Sequence, residues 1–273
     1  MKRFAFALAC TLLAQSAWAA FTRNIMLTGY WPPTNEMVRG FSPNPTQNPG
    51  GWQGQNWQGL GFDVYSYFPE FPGGVLNQGV GDLMVDYQDT YEDFFRIANQ
   101  IQPVAIITFS RTSNFTPPSW EVEWRQRNLE SWIDDYIAPT QPTPSPPDPT
   151  AAAGFIRYSS LPMQQIVNAV NATPAAGANA FIDQTDFGGG FLSEFIAYMG
   201  TWYHDMHANQ SDPAWNVAAG HIHVSGNLNV GRARLATEVT LRELLNYVNT
   251  QIPEPSTAAM MALLAIPLLR RRK

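Results

Sequence analysis

The sequence predicts a single α/β domain over residues 21–252, with three layers in which a twisted mixed sheet is flanked by helices. Strand-like runs alternate with helix-like runs along this region, which is the pattern of layered α/β folds. One of these runs, residues 104–109, is a continuous apolar strand. A region of about 230 residues fits one domain, although its length also allows two.

The first half of this region predicts two strands before the apolar one, and one helix. Residues 24–30 form a β-rich run, and residues 63–68 form a second one. Between them, residues 40–61 are rich in Gly, Asn, Gln and Pro and predict a long loop. Residues 87–102 have apolar side chains at the i, i+3, i+4, i+7 spacing of an amphipathic helix.

The second half alternates in the same way. Within residues 120–125, Trp and Val alternate with Glu and Arg, which predicts a half-buried strand with Glu121 and Glu123 on one face. Residues 138–150 contain six prolines and predict a stiff, extended insertion. The remaining elements are predicted strands at 155–159, 180–183 and 217–224, and predicted helices at 161–172, 191–204 and 231–250.

Composition and charge exclude some classes of protein. The chain is 45% hydrophobic and 14% charged, which is too apolar for a disordered polymer. Residues 21–252 contain 10 Arg and 21 acidic residues, a net charge of −11, so we expect no nucleic-acid partner. The acidity is typical of a solvated surface that keeps an exported protein soluble.

The N-terminus has the pattern of a secretory signal peptide, residues 1–20. Lys2 and Arg3 precede an apolar run over residues 4–14, and Ala17-Trp18-Ala19 gives a small-x-small cleavage pattern. The only cysteine, Cys10, lies inside this segment. We therefore expect an exported mature protein with no thiol chemistry and no disulfide.

The C-terminus, residues 253–273, has the pattern of a second signal. Pro253, Glu254 and Pro255 precede an apolar stretch, and the chain closes with four basic residues. The stretch is about 13 residues long, short for a spanning helix. The three parts together resemble the PEP-CTERM sorting tail of Gram-negative bacteria. The resemblance implies recognition by an exosortase-type enzyme, transient or stable attachment to the membrane through the tail, and a location in the cell envelope or outside the cell.

A candidate catalytic group follows the predicted strand 180–183. Three glycines lead from this strand into a helix whose first turn contains Ser193. A nucleophile at that position is favoured by the helix dipole and by free backbone N–H groups. His223, at the end of an apolar strand, is the candidate base, and Glu123 is the candidate orienting carboxylate. Serines at helix starts are also common as caps.

Several blocks resemble, in order, the pyroglutamyl peptidase I (pyrrolidone-carboxylate peptidase) family of cysteine peptidases. They span about 200 residues. The blocks are Ile25-Met26-Leu27-Thr28-Gly29-Tyr30-Trp31-Pro32, Ile101-Gln102-Pro103-Val104-Ala105-Ile106-Ile107 with Arg111, Glu123 with Asn128, Arg157-Tyr158-Ser159-Ser160-Leu161-Pro162, Gly189-Gly190-Phe191-Leu192-Ser193 and Gly220-His221-Ile222-His223-Val224.

The resemblance implies a pyroglutamyl-peptidase-like fold, a peptide substrate and no cofactor. It implies that Glu123 and His223 are catalytic, that Ser193 stands at the nucleophile position, and that Tyr30, Phe191 and Leu192 contact the substrate. The sequence departs from the family at Ser193, where the family has cysteine. Because residues are inserted before Glu123, Glu121 also aligns with the family's catalytic glutamate.

Two further patterns are open to other readings. His204, His207, His221 and His223 lie within 20 residues, a density that would allow a metal site. However, His221 and His223 lie in the block that resembles the family's histidine segment, which needs no metal, so we expect none. Trp52 and Trp57 could form a platform for a sugar, or they could anchor the long loop onto the core.

Two functions follow from these observations. The first is an exported hydrolase that acts on N-terminal pyroglutamyl or similar peptide amide bonds, whose activity the replacement of cysteine by Ser193 could impair. The second is a catalytically inactive envelope protein that binds a peptide or a glycan.

Overall fold

The computed structural model describes residues 21–185 and 187–252, so the predicted signal peptide and sorting tail lie outside the described residues. The strands are β1 (Asn24–Gly29), β2 (Asp63–Tyr67), β3 (Ala105–Thr112), β4 (Ser119–Glu123), β5 (Arg125–Arg127), β6 (Ile156–Tyr158), β7 (Asn179–Asp183) and β8 (Ala218–Ser225). The α-helices are α1 (Thr34–Val38), α2 (Tyr87–Ile101), α3 (Met163–Asn171), α4 (Leu192–Met206) and α5 (Val230–Gln251).

Six strands form the main sheet, in the order β2-β1-β3-β8-β4-β7. Neighbouring strands are parallel except β4 and β8, which pair antiparallel. This arrangement confirms the predicted mixed sheet. β5 and β6 pair antiparallel in a separate two-stranded sheet.

Helices cover both faces of the main sheet, which confirms the three-layer prediction. One core cluster packs side chains of α1, α3 and α5 against one face of the sheet, and a second packs α2 and α4 against the other. Alternate residues of β3 show this division: Ile107 belongs to the first cluster and Ile106 to the second. Burial of these apolar faces is the main contribution to the stability of such a domain.

The bounds of α2 follow from its sequence. Asp86 caps the helix by accepting a 2.8 Å hydrogen bond from the backbone N–H of Asp89. Phe94, Ile97, Ala98 and Ile101 form its buried stripe. The helix ends at Ile101, and the next residue, Gln102, has a left-handed backbone conformation (φ 47°) and precedes Pro103.

Two local predictions need correction. β4 is buried along its whole length and not half-buried, because Trp120 and Val122 pack in one core cluster while Glu121 and Glu123 are buried in the cavity wall on the other face. The insertion 138–150 contains no helix or strand and bends repeatedly, so it is not a straight extended strut. Asn128 Nδ2 and Gln88 Nε2 hold it by donating hydrogen bonds to the carbonyl groups of Asp148 and Pro139, respectively.

No helix in the described part of the chain has both the length and the apolar character needed to cross a membrane. The longest helix, α5, has 22 residues, but many of them are polar or charged. It packs against the sheet with residues that include Leu241, Leu244 and Leu245.

Candidate active site

A cavity of about 560 Å³ opens at the carboxyl ends of β3 and β8. Ligand sites in α/β sheets commonly lie at the carboxyl ends of strands. β3 contributes Arg111, β4 contributes Glu121 and Glu123, β8 contributes His223, and the start of α4 contributes Ser193. The structure thus places the three predicted catalytic residues in the wall of one cavity.

His223 and Glu123 form a hydrogen-bonded pair in this wall. The distance between His223 Nδ1 and Glu123 Oε1 is 2.6 Å, and the two side chains are 9% and 1% exposed. The pair connects adjacent strands of the sheet, since β4 and β8 run side by side. Glu121 lies opposite His223 in the strand register, but its Oε1 accepts a hydrogen bond from Ser119 Oγ. Glu123 is thus hydrogen-bonded to the imidazole.

The pairing determines which nitrogen of His223 can act as a base. An ionised Glu123 can only accept a hydrogen bond, so His223 Nδ1 is the donor. The lone pair of the neutral imidazole then lies on Nε2. Burial raises the pKa of Glu123 above its ordinary value, although the hydrogen bond and charge of His223 act in the opposite direction.

Ser193 lies in the first turn of α4, close to the positive end of the helix dipole. The residues before it are Gly188, Gly189 and Gly190, whose φ angles are 94°, 90° and 71°. Side chains with a Cβ atom rarely adopt this backbone conformation, so the glycines permit the turn that brings the serine to the cavity.

Glu194 is a residue of the site that our sequence analysis missed. Its side chain is fully buried and forms an ion pair with Arg127, with an Nε–Oε1 distance of 2.8 Å. Its Oε2 also accepts a 2.8 Å hydrogen bond from the backbone N–H of Gly190. Glu194 thus fixes the glycine turn next to Ser193. An acidic residue in the first turn of a helix is the sequence signal that could have indicated it.

Aromatic side chains form the apolar part of the cavity wall. Trp31 and Phe191 both line the cavity and are stacked, with ring centroids 6.3 Å apart. The ring of Tyr136 packs edge-to-face with that of Trp31, and the two ring centroids are 6.4 Å apart. Phe191 was predicted to contact the substrate, whereas Trp31 was not assigned that role.

The other two predicted substrate contacts do not line the cavity. Tyr30 is buried and its hydroxyl group is hydrogen-bonded to Thr90 Oγ1 at 2.7 Å. Leu192 is fully buried in the core between α4 and the sheet. Each lies next in sequence to a residue that does line the cavity, and successive side chains point in different directions. The structure thus places Trp31 and Phe191 in the cavity wall, and Tyr30 and Leu192 in the core.

The four clustered histidines do not all meet: the rings of His221 and His223 are in contact, with centroids 4.6 Å apart, but His204 and His207 lie elsewhere. His204 Nδ1 is hydrogen-bonded to Asn216, and His207 Nδ1 to Asp212, at the carboxyl end of α4. His223 lies near the amino end of this 15-residue helix, and a helix of that length spans about 22 Å. His221 is fully buried between Thr108 and Ser110, and burial lowers the pKa of its imidazole well below the ordinary value.

The two tryptophans of the long loop serve as anchors. Trp52 stacks on Tyr65 with ring centroids 4.7 Å apart and donates a hydrogen bond to the carbonyl group of Val64. Trp57 is buried and packs edge-on against Phe41. Because their rings are used in these contacts, the structural reading of the pair is favoured over a sugar platform.

Comparison with known proteins shows that the fold of this chain is similar to that of solved structures. No protein-family model matches the chain, and no curated protein sequence matches it. Pyrrolidone carboxyl peptidase from Thermococcus litoralis matches with a TM-score of 0.60 and 16% identity over 85% of this chain and 99% of that one. A variant of the pyrrolidone carboxyl peptidase from Pyrococcus furiosus matches with a TM-score of 0.56 and 14% identity, over 82% of this chain and 99% of that one.

Pyroglutamyl peptidase I from Bacillus amyloliquefaciens is similar to the same extent. Its TM-score is 0.55 at 14% identity, over 82% of this chain and 98% of that one. The chain therefore shares its fold with solved pyroglutamyl peptidase I structures.

Proposed function

We propose that the protein is an exported hydrolase that cleaves the amide bond after an N-terminal pyroglutamyl residue or a similar small cyclic amide. The observation that carries this proposal is the 2.6 Å hydrogen bond between His223 and Glu123, in the wall of the cavity that also contains Ser193. The fold similarity to proteins named pyroglutamyl peptidase I supports it. The aromatic wall formed by Trp31 and Phe191 suits a small, flat ring.

Each residue of the pair has a defined task in this reaction. His223 Nε2 removes the proton from the Ser193 hydroxyl group as its oxygen attacks the carbonyl carbon, and Glu123 stabilises the resulting imidazolium. The same proton then passes to the departing amine as the amide bond breaks. Water hydrolyses the ester on Ser193 in a second step with the same base. The amino end of α4 stabilises the transient oxyanion.

Serine makes this reaction harder than cysteine does. A thiol has a pKa of about 8.5 and can form a thiolate–imidazolium pair before the substrate arrives. A serine hydroxyl group does not ionise in this way, so His223 must take its proton during the attack. We therefore expect slower turnover than from the same site with cysteine.

The test is hydrolysis of a chromogenic pyroglutamyl amide by the full-length protein. We expect measurable turnover in the parent, and a loss of about 10³-fold or more in kcat/KM in Ser193→Ala, because the attacking oxygen is removed. Ser211→Ala is the matched control, since Ser211 is exposed in a loop outside the cavity and should have no effect.

Ser193→Cys shows whether the cavity supports hydrolysis when the nucleophile is a thiol instead of a hydroxyl group. Activity that appears only in Ser193→Cys would show an intact pocket in which serine does not react. If neither the parent nor Ser193→Cys hydrolysed the amide, the hydrolase proposal would be wrong.

The second candidate function is binding of a peptide or glycan without turnover. The observation that favours it is the serine at the nucleophile position beside a retained aromatic wall. In that case the parent and Ser193→Ala would bind a pyroglutamyl peptide with equal affinity in calorimetry, and neither would cleave it. If Trp31→Ala bound the peptide as tightly as the parent, the binding site would lie outside this cavity.

We also propose that residues 1–20 direct export and that Pro253, Glu254 and Pro255 are recognised by an exosortase-type enzyme. The apolar tail would then hold the protein at the membrane before or after sorting. Intact-mass measurement of the protein recovered from its native envelope is expected to show loss of residues 1–20 and cleavage near Pro253. A mass equal to that of the full chain would contradict both parts of this proposal.

A further inference from the structure

Three side chains in the wall of the cavity form a group that the proposed hydrolysis does not fully use. Glu121, Glu123 and His223 each offer one ligand atom, and these atoms all lie within 4.8 Å of one another. All three side chains are buried, and all three border the cavity. We call them the carboxylate–histidine group.

The group follows from strand pairing. β4 and β8 are antiparallel, and Glu121 lies opposite His223 in their register. Residues two apart on a strand share a face, so Glu123 projects to the same side as Glu121. The alternation Trp-Glu-Val-Glu in β4 therefore places two carboxyl groups beside one imidazole on the face that borders the cavity.

One oxygen of the group is left without a partner. Glu123 Oε1 accepts the hydrogen bond from His223, whereas Glu123 Oε2 is buried and has no hydrogen-bond partner within residues 21–185 and 187–252. Leaving a buried carboxylate oxygen unpaired is energetically costly, and such groups in native proteins are usually paired or bound to an ion. Since Glu123 is 1% exposed and lines the cavity, this oxygen is a candidate ligand atom for an ion.

We propose that Glu121, Glu123 and His223 bind a divalent transition-metal ion. Two carboxylates and a neutral imidazole together have a charge of −2, which a divalent cation balances. A mixed set of carboxylate oxygens and one imidazole nitrogen suits first-row ions such as Zn²⁺ better than Ca²⁺ or Mg²⁺, which prefer oxygen alone. The open cavity beside the group leaves room for water or a substrate atom as a further ligand.

This site goes beyond the proposed hydrolysis and does not rest on it. A metal ion bound to an imidazole nitrogen occupies the lone pair through which the ring would act as a base. Because the neutral imidazole has one such lone pair, His223 cannot bind the metal and act as the base at the same time, so the metal-free form would carry out the proposed hydrolysis and the metal-bound form would not. Metal binding is measured directly, so its failure and the failure of hydrolysis are separate results.

The test is equilibrium dialysis of the chelator-treated, full-length protein against Zn²⁺, with bound metal measured by mass spectrometry. We expect one Zn²⁺ per chain in the parent. Glu121→Gln and His223→Ala should each weaken binding by about 10-fold or more, because each removes one ligand. His207→Ala is the matched control, since His207 pairs with Asp212 at the other end of α4 and should leave binding unchanged.

Several results would overturn the proposal. These are no bound Zn²⁺ in the parent, binding that survives in both Glu121→Gln and His223→Ala, and binding that is lost in His207→Ala. Circular dichroism shows whether each variant is folded. If the cavity variants do not fold, anomalous diffraction from a Zn²⁺-soaked crystal of the parent decides the matter: a peak between the three side chains supports the site, and its absence there contradicts it.

Discussion

Replacing His223 with alanine is expected to lower kcat/KM for pyroglutamyl amide hydrolysis by about 10²- to 10⁴-fold, which is the usual contribution of a general base. The imidazole removes the proton from Ser193 and returns it to the leaving amine, and no other histidine of the described chain borders the cavity. Steady-state kinetics on the parent, or on Ser193→Cys if only that form is active, measures the loss. The control is His204→Ala, because His204 is hydrogen-bonded to Asn216 outside the cavity and its loss should leave kcat/KM unchanged.

Glu123→Gln tests the orienting role of the carboxylate separately. Glutamine keeps the shape of the side chain but cannot stabilise the imidazolium by charge, so kcat should fall with little change in KM. Glu238→Gln, on the exposed side of α5, makes the same chemical change outside the cavity and should have no effect. A larger loss in Glu121→Gln than in Glu123→Gln would show that the other glutamate has the orienting role.

Arg157→Met is expected to lower the free energy of unfolding by about 3–5 kcal/mol, the usual cost of breaking a buried ion pair. Arg157 donates a 2.7 Å hydrogen bond to Asp148, which is fully buried and also accepts a 2.8 Å hydrogen bond from Tyr198. Without the guanidinium group, Asp148 is left as an uncompensated buried charge. The pair connects the insertion 138–150 to β6 and α4, so its loss should also free the insertion. Urea unfolding followed by tryptophan fluorescence measures the change.

The same pair predicts a loss of stability in acid. Burial acts to raise the pKa of Asp148, but hydrogen bonds from Arg157, Thr150 and Tyr198 outweigh it and hold this pKa below its ordinary value. The carboxylate therefore stabilises the fold above the ordinary aspartate pKa of about 3.9, and this contribution is lost as the pH falls through the lower pKa of the folded state. Asp148→Asn should show a shallower decline between about pH 5 and about pH 2.

A control separates this buried pair from surface charges. Arg242→Met breaks the exposed pair with Glu238 on α5 and should change the free energy of unfolding by about 0–1 kcal/mol. If Arg157→Met lowered the free energy of unfolding no more than Arg242→Met does, the buried pair of Arg157 and Asp148 would stabilise the fold no more than an exposed pair.

Much of the fold could be predicted because periodicity is a local property. The stripe of α2 and the apolar run of β3 are visible in the sequence without knowledge of their neighbours. The degree of burial is not local. β4 has the alternation of a strand with one solvated face, yet all of its residues are buried, Trp120 and Val122 in the core and Glu121 and Glu123 in the cavity wall.

The candidate site divides in the same way. The order of the motifs indicated Ser193, His223 and a glutamate, but only the folded structure shows the hydrogen bond between His223 and Glu123, since the strand register places Glu121 opposite His223. Glu194 was missed because its partners, Arg127 and Gly190, meet only when the chain is folded. Its sequence position alone shows no more than an acidic residue at a helix start.

The sequence by itself determined the kind of fold, the order of its elements and the segments that supply the cavity, because each follows from patterns within a few residues. Tertiary structure decided which side chains of those segments face the cavity, placing Trp31 and Phe191 there and Tyr30 and Leu192 in the core. It also decided that Glu121, Glu123 and His223 share one small space. The physical reason is that side-chain direction and the meeting of distant strands depend on how the helices cover the sheet, which no local pattern records.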